Sequence, residues 1–503
     1  MLLIDHVALN RRERGDKPYL VHEGRTVTFS EFDRLTNQMA NTLRALGVVK
    51  GDRVTIGLGN SVEYVVAAFA TLKAGAILNP VNPQLGAGEL SYVIGHAEPR
   101  VIVTAAGSSG NVTSPDLKRP PGTRLAAFGD VPGAERLDEL VAQSPDEQPP
   151  VRPEPQDGST LLYTSGTTGK PKGVLFTHGR TGGSSGFFIP GLGITPDDTI
   201  LSVGPLFHGN SWSGAALGQQ AGCTFAFPRA FSASEFWPLA HRTHTSIFFT
   251  LGTILAILLA QEPNELERTS DIRVILGLGS AMIRDRIRER FGIGHVVECF
   301  GSTDAGVVTL EPLGEKPRPG SAGPAVPGVE LHILDDDKRE LPVREVGEIA
   351  VESPFRMASY FRDEEQTQQA LHGDWFLTGD LGYLDEDGWL YFVDRKRDVI
   401  RRGGENISSV LVEKAIREHP LVTDVAVVGI RHDVLGQEVK AFVVTREAVS
   451  VDDLRAFVAA RLAKFQVPTL WEFRDALPKT PTQRVEKYKL RGETPGGTRP
   501  LLG

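Results

Sequence analysis

The chain has 503 residues, a formal net charge of −9, an apolar fraction of 40% and two cysteines. That length allows one large and one smaller domain around a sizeable core, and the acidic balance excludes a dedicated nucleic-acid binder, which needs a clustered positive surface. Cys223 and Cys299 cannot build a disulfide framework or a four-ligand zinc site, which suits a reducing compartment. No apolar run approaches the roughly 20 residues of a membrane span, and MLLIDHVALN, broken by Asp5 and His6, is a poor signal peptide; a cytoplasmic protein is expected.

In chain order, TFSEFDRLTNQMANTLRALG has helical spacing, with Ser30 as the expected N-cap and Gly47 as the stop. RVTIGLG then reads as a strand, SVEYVVAAFATLKAG as a helix, AILNPV as a strand, ELSYVIGHAE as a helix and RVIVTA as a strand. This alternation predicts an α/β fold with mainly parallel sheets covered by helices. Residues 108–159 are rich in Pro, Gly and Asp and read as a connector with one short helix at LDELVAQ. VELHILDDDKRELPVREVGEIAVES alternates around a turn at Asp335 to Asp337, predicting antiparallel strands. Beyond Asp394, SSVLVEKAIREH and VDDLRAFVAARLA are helical and DVAVVGI and VKAFVVT are strands, together a small α+β unit.

LLYTSGTTGKPKGVLFTHG, Leu161 to Gly179, carries the clearest chemistry. Hydroxyls, glycine amides and lysines in one loop can surround phosphate oxygens. The spacing fails the G-x-x-x-x-G-K-[ST] motif, because Gly166 and Gly169 are too close and Pro171 follows Lys170. Strand-like runs on both sides also leave no helix N-terminus, so a phosphate loop of another class is expected.

YTSGTTGKPKG resembles the signature of the adenylate-forming superfamily of acyl-CoA synthetases, luciferases and peptide-synthetase adenylation domains. Further blocks stand in the family's order: PLFH at Pro205 to His208, FGSTDAG at Phe300 to Gly306, TGDLGYLDEDGWLYFVDRKRDVIRRGGENIS at Thr378 to Ser408, and PKTPTQRVEKYKLR at Pro478 to Arg491. The resemblance spans essentially the whole chain and is closest to standalone acyl-CoA ligases. It implies a large N-terminal domain (1–394), a hinge (395–397) and a small mobile C-terminal domain (398–503). It also implies two half-reactions: a carboxylate attacks the α-phosphorus of ATP to give an acyl-adenylate, and a thiol, usually that of coenzyme A, then expels AMP. The small domain rotates between them.

By the same resemblance Thr164, Ser165, Gly166, Thr167, Thr168, Gly169 and Lys170, with the loop running on to Lys172, enclose the departing phosphates. Gly279, Ser280, Ala281, Phe300, Gly301, Ser302 and Thr303 meet the nucleotide. Asp380 accepts from the ribose hydroxyls and Arg395 donates to the same sugar, roles that suit a carboxylate and a guanidinium. Asp304 falls where the family has a glutamate ligand of magnesium; one methylene shorter, it reaches the ion directly or through water. Phe300 replaces a common tyrosine. His208 is the gate between the acyl pocket and the pantetheine tunnel, Arg397 is the hinge residue, and Gly403 and Gly404 line the tunnel for coenzyme A. The acyl pocket is assigned to His208, Gly209, Trp212, Gly252, Gly277, Gly279 and Gly306. Its walls hold no acid apart from Asp304, which argues against an amino-acid substrate, and the many glycines suggest room for a bulky, mostly apolar acid.

The final block departs from its pattern, P-K-T-P-S-G-K-[IV]. Arg484 stands at the position of the adenylation lysine and Gln483 at that of the preceding glycine. A planar guanidinium does not replace a compact ammonium between two anionic oxygens conservatively. Three readings follow: a complete ligase in which Arg484, Lys487 or Lys489 supplies the charge; a ligase that thioesterifies an acyl-adenylate made by a separate adenylating enzyme; and a nucleotide-binding pseudoenzyme. The sequence leaves the oligomeric state open, a dimer included.

Overall fold

The structure is a computed structural model that describes residues 1–107, 111–164, 171–183, 186–281, 283–403, 405–432, 434–480 and 485–492. The chain divides into two compact units, Met1–Leu331 with Val351–Phe376, and His332–Ala350 with Leu377–Gly503.

The first unit contains two large sheets. In one, the strands His295–Val297, Val274–Leu278, Ile247–Leu251, Thr199–Ser202, Thr224–Ala226 and Pro18–His22 lie side by side in parallel. Arg25–Thr28 closes the edge antiparallel to Pro18–His22. The other sheet is parallel from Gly158–Thr164 through Ile77–Pro80, Arg53–Ile56, Val101–Ala105 and Arg124–Phe128, then turns antiparallel at Lys172–Thr177 and Ser359–Tyr360. The βαβ alternation read from the first hundred residues is present, with helices Val62–Lys73 and Ala87–Ala97 between successive strands. Helix Phe29–Ala45 starts one residue before the expected Ser30 cap. Thr28 is its N-cap, its hydroxyl accepting from the Glu31 amide at 3.2 Å. Two hydroxyl residues lie within three positions here, and the one still in extended backbone takes the role.

Helix Val62–Lys73 is apolar along almost its whole length and buried on nearly every face, as expected of a helix enclosed by other elements. It ends on a buried cation. Lys73, 5% exposed, donates to Asp33 at 2.7 Å and to Asn37 at 2.8 Å, while Arg11 reaches the other Asp33 oxygen at 3.0 Å. Three helices are thus joined through one carboxylate. Lys73→Met keeps the stem but strips Asp33 of its buried partner, and urea unfolding should show about 3 kcal/mol lost, the lower end for a broken buried pair because Arg11 stays.

In the second unit, strands Val422–His432 and Gly436–Thr445 form a long antiparallel hairpin. Ile400–Arg402 joins it antiparallel and Leu470–Phe473 parallel. Helices Ser409–Arg417 and Val451–Ala459 contribute Val412, Ile416, Leu454 and Val458 to the core under this sheet. The same unit holds Leu377–Leu384 of a long strand paired antiparallel with Leu390–Arg395.

Candidate active site

The loop Ser165–Lys170 lies outside the described residues, but its supports do not. Gly158–Thr164 and Lys172–Thr177 pair antiparallel, Thr164 opposite Lys172. The loop therefore joins two strands of a hairpin and is not a strand-to-helix phosphate loop. Alongside, Ser359–Tyr360 pairs with Lys172–Thr177, and the Lys172 ammonium lies over the Tyr360 ring, 4.8 Å from its centroid. Tyr360 is hydrogen-bonded to the Asp304 carboxylate, and burial, with that negative charge second, raises the phenol well above its ordinary range. Arg180 donates to the carbonyls of Arg356 and Met357, and the Met357 amide donates to the Asp304 carbonyl at 2.7 Å. One cation, one phenol and one carboxylate thus meet beside the base of the loop. Tyr360 escaped the sequence reading, since only the strand pairing brings it here.

Asp304 sits in the turn of a hairpin. Cys299–Ser302 pairs with Gly306–Leu310, and Ser302 Oγ accepts from the Ala305 amide at 3.0 Å. Phe300 is 9% exposed. Glycine is a steric requirement in this hairpin: a Cβ on Gly301 would come within 2.5 Å of the Gly306 carbonyl oxygen, and one on Gly306 within 2.9 Å of that of Phe355. Among the described residues no three His, Cys, Asp or Glu side chains converge. A magnesium ion at Asp304 would meet one hard carboxylate oxygen, which fits an ion that keeps its waters and is bound through one or two carboxylates plus phosphates.

Gly277 lies in strand Val274–Leu278, and Gly279, Ser280 and Ala281 follow it in a tight turn, with Gly279 at φ +78°. A Cβ on Gly252 would lie 2.3 Å from the Gly279 carbonyl oxygen, and one on Gly277 3.1 Å from the Ser280 Cβ. Gly209 and Gly279 instead face open space. Of the five glycines assigned to the acyl pocket, three therefore permit close approach of packed atoms, so glycine content alone does not measure pocket volume.

His208 is the N-cap of helix Gly209–Ala221, its ring 4.8 Å from that of Phe207. Its Nε2 is buried without a hydrogen-bond partner among the described residues, and burial pushes the imidazole down to about 4. It is neutral at physiological pH. Trp212, one turn on, packs against Phe69 with centroids 5.2 Å apart.

In the second unit, Asp380 and Arg395 are directly opposite each other across the strand pair, with 3.6 Å between Oδ1 and Nε. Gly379 at φ +71° and the bond that the Asp380 amide donates to the Thr378 hydroxyl oxygen, 3.1 Å, set the local backbone. Arg397 is exposed, and desolvation by the atoms packed around it, with its neighbour Arg395 second, lowers its pKa. Gly403 has φ +59° and donates to the Leu435 carbonyl at 2.8 Å; Gly404 lies outside the described residues. Gln483 and Arg484 lie outside them too. Lys479 and Val485 pair through an isolated antiparallel bridge on either side of that pair. Lys487 donates to Ser409 Oγ and to Glu413, each at 2.7 Å, and Lys489 pairs with Glu486 at 2.5 Å. Both lysines are engaged by local acids.

Comparison with known proteins decides the family. Residues 7–361 match the family profile of AMP-binding enzymes, and residues 411–484 match that of the AMP-binding enzyme C-terminal domain. The chain belongs to the AMP-binding enzyme family. Within this adenylate-forming superfamily it is 32% identical over 484 residues to a crotonobetaine/carnitine–CoA ligase of Escherichia coli, covering 92% of this chain and 93% of that protein. The fold matches ATP-bound MatB of Rhodopseudomonas palustris with a TM-score of 0.89 at 27% identity, over 98% of each chain. An anthranilate CoA ligase in complex with anthranoyl-AMP matches with a TM-score of 0.90 at 25% identity, over 98% of this chain and 96% of that one. By family this AMP-binding enzyme is an acyl-CoA ligase, and ligases of this family work through an acyl-adenylate with ATP, magnesium and coenzyme A. Among its described residues no helix is long and apolar enough to cross a membrane.

Proposed function

We propose that this AMP-binding enzyme forms the coenzyme A thioester of a bulky, mostly apolar carboxylic acid, and that its adenylation step is the weak one. The observation that carries this is the engagement of Lys487 by Ser409 and Glu413 and of Lys489 by Glu486. With Lys487 held in a largely buried pair and Lys489 drawn to Glu486 in a weaker, half-exposed one, the cation at the family's adenylation position is Arg484. A guanidinium prefers forked contacts to lying between two oxygens, and Gln483 lacks the backbone freedom of glycine in presenting it. The acyl-adenylate then comes from a separate adenylating enzyme or from slow turnover of ATP at this site, and the cytoplasm is the compartment for both.

The chemistry assigned to each residue follows the family. The loop Thr164 to Lys172 holds phosphates, Asp304 meets magnesium, Asp380 and Arg395 hold the ribose, and His208 gates the acyl channel. Arg397 is the pivot of the hinge at 395–397, and Gly403 and Gly404 admit pantetheine. Magnesium, when bound, neutralises the phosphate charge against which the carboxylate must attack. A neutral His208 places no cation against an apolar acid, and the Phe69–Trp212 pair adds aromatic surface nearby. The proposed acyl walls hold no carboxylate apart from Asp304 to pair with a substrate ammonium, so apolar acids, aromatic ones among them, are favoured over amino acids.

The test is coenzyme A ester formation over a panel of bulky acids, from acid plus ATP and separately from synthetic acyl-adenylate. Wild type should react readily from the adenylate and slowly from acid plus ATP. Arg484→Lys should raise the ATP-dependent rate about 100-fold, the scale of a misplaced catalytic group, with the adenylate-dependent rate unchanged. Equal wild-type rates by the two routes would refute the weakness, and nucleotide binding without either reaction would favour a pseudoenzyme.

A further inference from the structure

The nucleotide turn is held from below by an acid that no motif marks. Glu298 is 4% exposed, inside the mostly apolar run HVVECF. Its Oε1 accepts from the Gly279 amide at 2.7 Å and the Cys299 amide at 3.2 Å, and its Oε2 from the Ala281 amide at 2.8 Å and the Ser280 hydroxyl at 3.3 Å. Each oxygen thus accepts two donors, three of the four from the turn Gly279–Ala281. Glu298 is itself fixed from behind. Its amide donates to Glu311 Oε2 at 2.8 Å, and the same oxygen pairs with Arg284 at the start of helix Arg284–Phe291. The Glu311 amide returns a bond to the Glu298 carbonyl at 3.0 Å. On its other side the turn meets Gly252, where no side chain fits.

Burying an ionisable carboxyl is costly unless it is satisfied, and an apolar residue would fill this space more cheaply. A carboxylate earns its place because only an acceptor-only group can take four converging donors. We propose that Glu298 is a positioning residue for the adenylate: it fixes the shape of the Gly279–Ala281 turn that meets the nucleotide, without touching the nucleotide itself. This rests on the assignment of that turn to nucleotide binding.

The charged groups around Glu298 make its ionisation a readout. Glu311 beyond strand Gly306–Leu310 repels its charge, Arg284 is neutralised on Glu311, and Cys299 beside it is a buried thiol held neutral. Burial first, and Glu311 in addition, push the carboxyl up to about 7 against the pull of its three backbone donors. Protonation turns one acceptor oxygen into a donor facing other donors, so nucleotide affinity should fall as pH drops through about 7.

The experiment measures KM for ATP and for acyl-adenylate, KM for coenzyme A, and the ligand-free melting temperature, from pH 6 to pH 8. Glu298→Gln is nearly isosteric but turns an NH2 toward two of the donors. It should raise both nucleotide constants by about tenfold to 100-fold, leave the coenzyme A constant unchanged, and abolish the pH dependence around 7. Glu298→Asp, which keeps the charge but not the reach, should show the same split and serves if the Gln variant does not fold. Ala281→Trp tests the underlying assignment, because bulk on a turn that meets nucleotide must block ATP. If Ala281→Trp leaves ATP binding intact, the nucleotide assignment of the turn fails. If Ala281→Trp blocks ATP while both Glu298 variants keep wild-type nucleotide constants, whether or not they melt earlier, the positioning role alone is overturned.

Discussion

Asp380→Ala is expected to raise KM for both ATP and acyl-adenylate by about 100- to 10,000-fold while leaving that for coenzyme A near wild type. The range follows from two hydrogen bonds to a charged acceptor at about 1.5–3 kcal/mol each, with each 1.4 kcal/mol a factor of ten. The position is prepared for this role. Asp380 is 7% exposed and set by the positive φ of Gly379, and Arg395 stands opposite it across the strand pair. The separation is 3.6 Å and the guanidinium is partly exposed, and ligand-free melting measured alongside separates any loss of stability from the loss of nucleotide binding. Asp380→Asn keeps an acceptor but not the charge and should fall between. Steady-state kinetics by both routes decide it; unchanged nucleotide constants in the alanine variant would remove Asp380 from the ribose.

What the sequence made legible is what short-range pattern encodes. The alternation of apolar runs with helical spacing placed the parallel strands Arg53–Ile56, Ile77–Pro80 and Val101–Ala105, and the strand-like runs read either side of the phosphate loop are the two strands that pair there. The helix cap was misplaced because Thr28 and Ser30 are chemically equivalent there, and only the backbone decides between them. Contacts between residues far apart in sequence were not legible. Tyr360 reaches Asp304 only because strand Ser359–Tyr360 pairs with Lys172–Thr177. Glu298 lies 17 to 19 positions from its turn donors. A lone acid inside VVECF was the available signal, since an acid in an apolar strand is buried and must be satisfied. Glycine is ambiguous in the same way: open space at Gly209 and a backbone collision at Gly252 read alike in one-letter code.

That ambiguity supplies a severe test of the site. Gly252→Ala adds one methyl group, yet its Cβ would lie 2.3 Å from the Gly279 carbonyl oxygen, 2.7 Å from its carbon and 3.3 Å from the Ser280 amide nitrogen. All three are backbone atoms, so no flexible side chain can swing aside. The turn cannot simply move away either, because Glu298 holds it through Gly279, Ser280 and Ala281. Either helix Gly252–Leu259, together with the strand Ile247–Leu251 that leads into it, shifts, or the Glu298 contacts break. Overpacking of this kind costs about 1–3 kcal/mol, and a displacement near 1 Å at a catalytic site costs roughly 100-fold in rate. Gly252→Ala should therefore melt earlier and lose about 100-fold in both half-reactions, since both use the adenylate. Gly209→Ala is the matched comparison: its added methyl meets nothing within 4 Å, so it should melt with the wild type and show its effect in the choice of acid. Wild-type melting and rates in Gly252→Ala would mean that this strand and the turn stand further apart than the structure places them, and the steric basis for the site's shape would go with it.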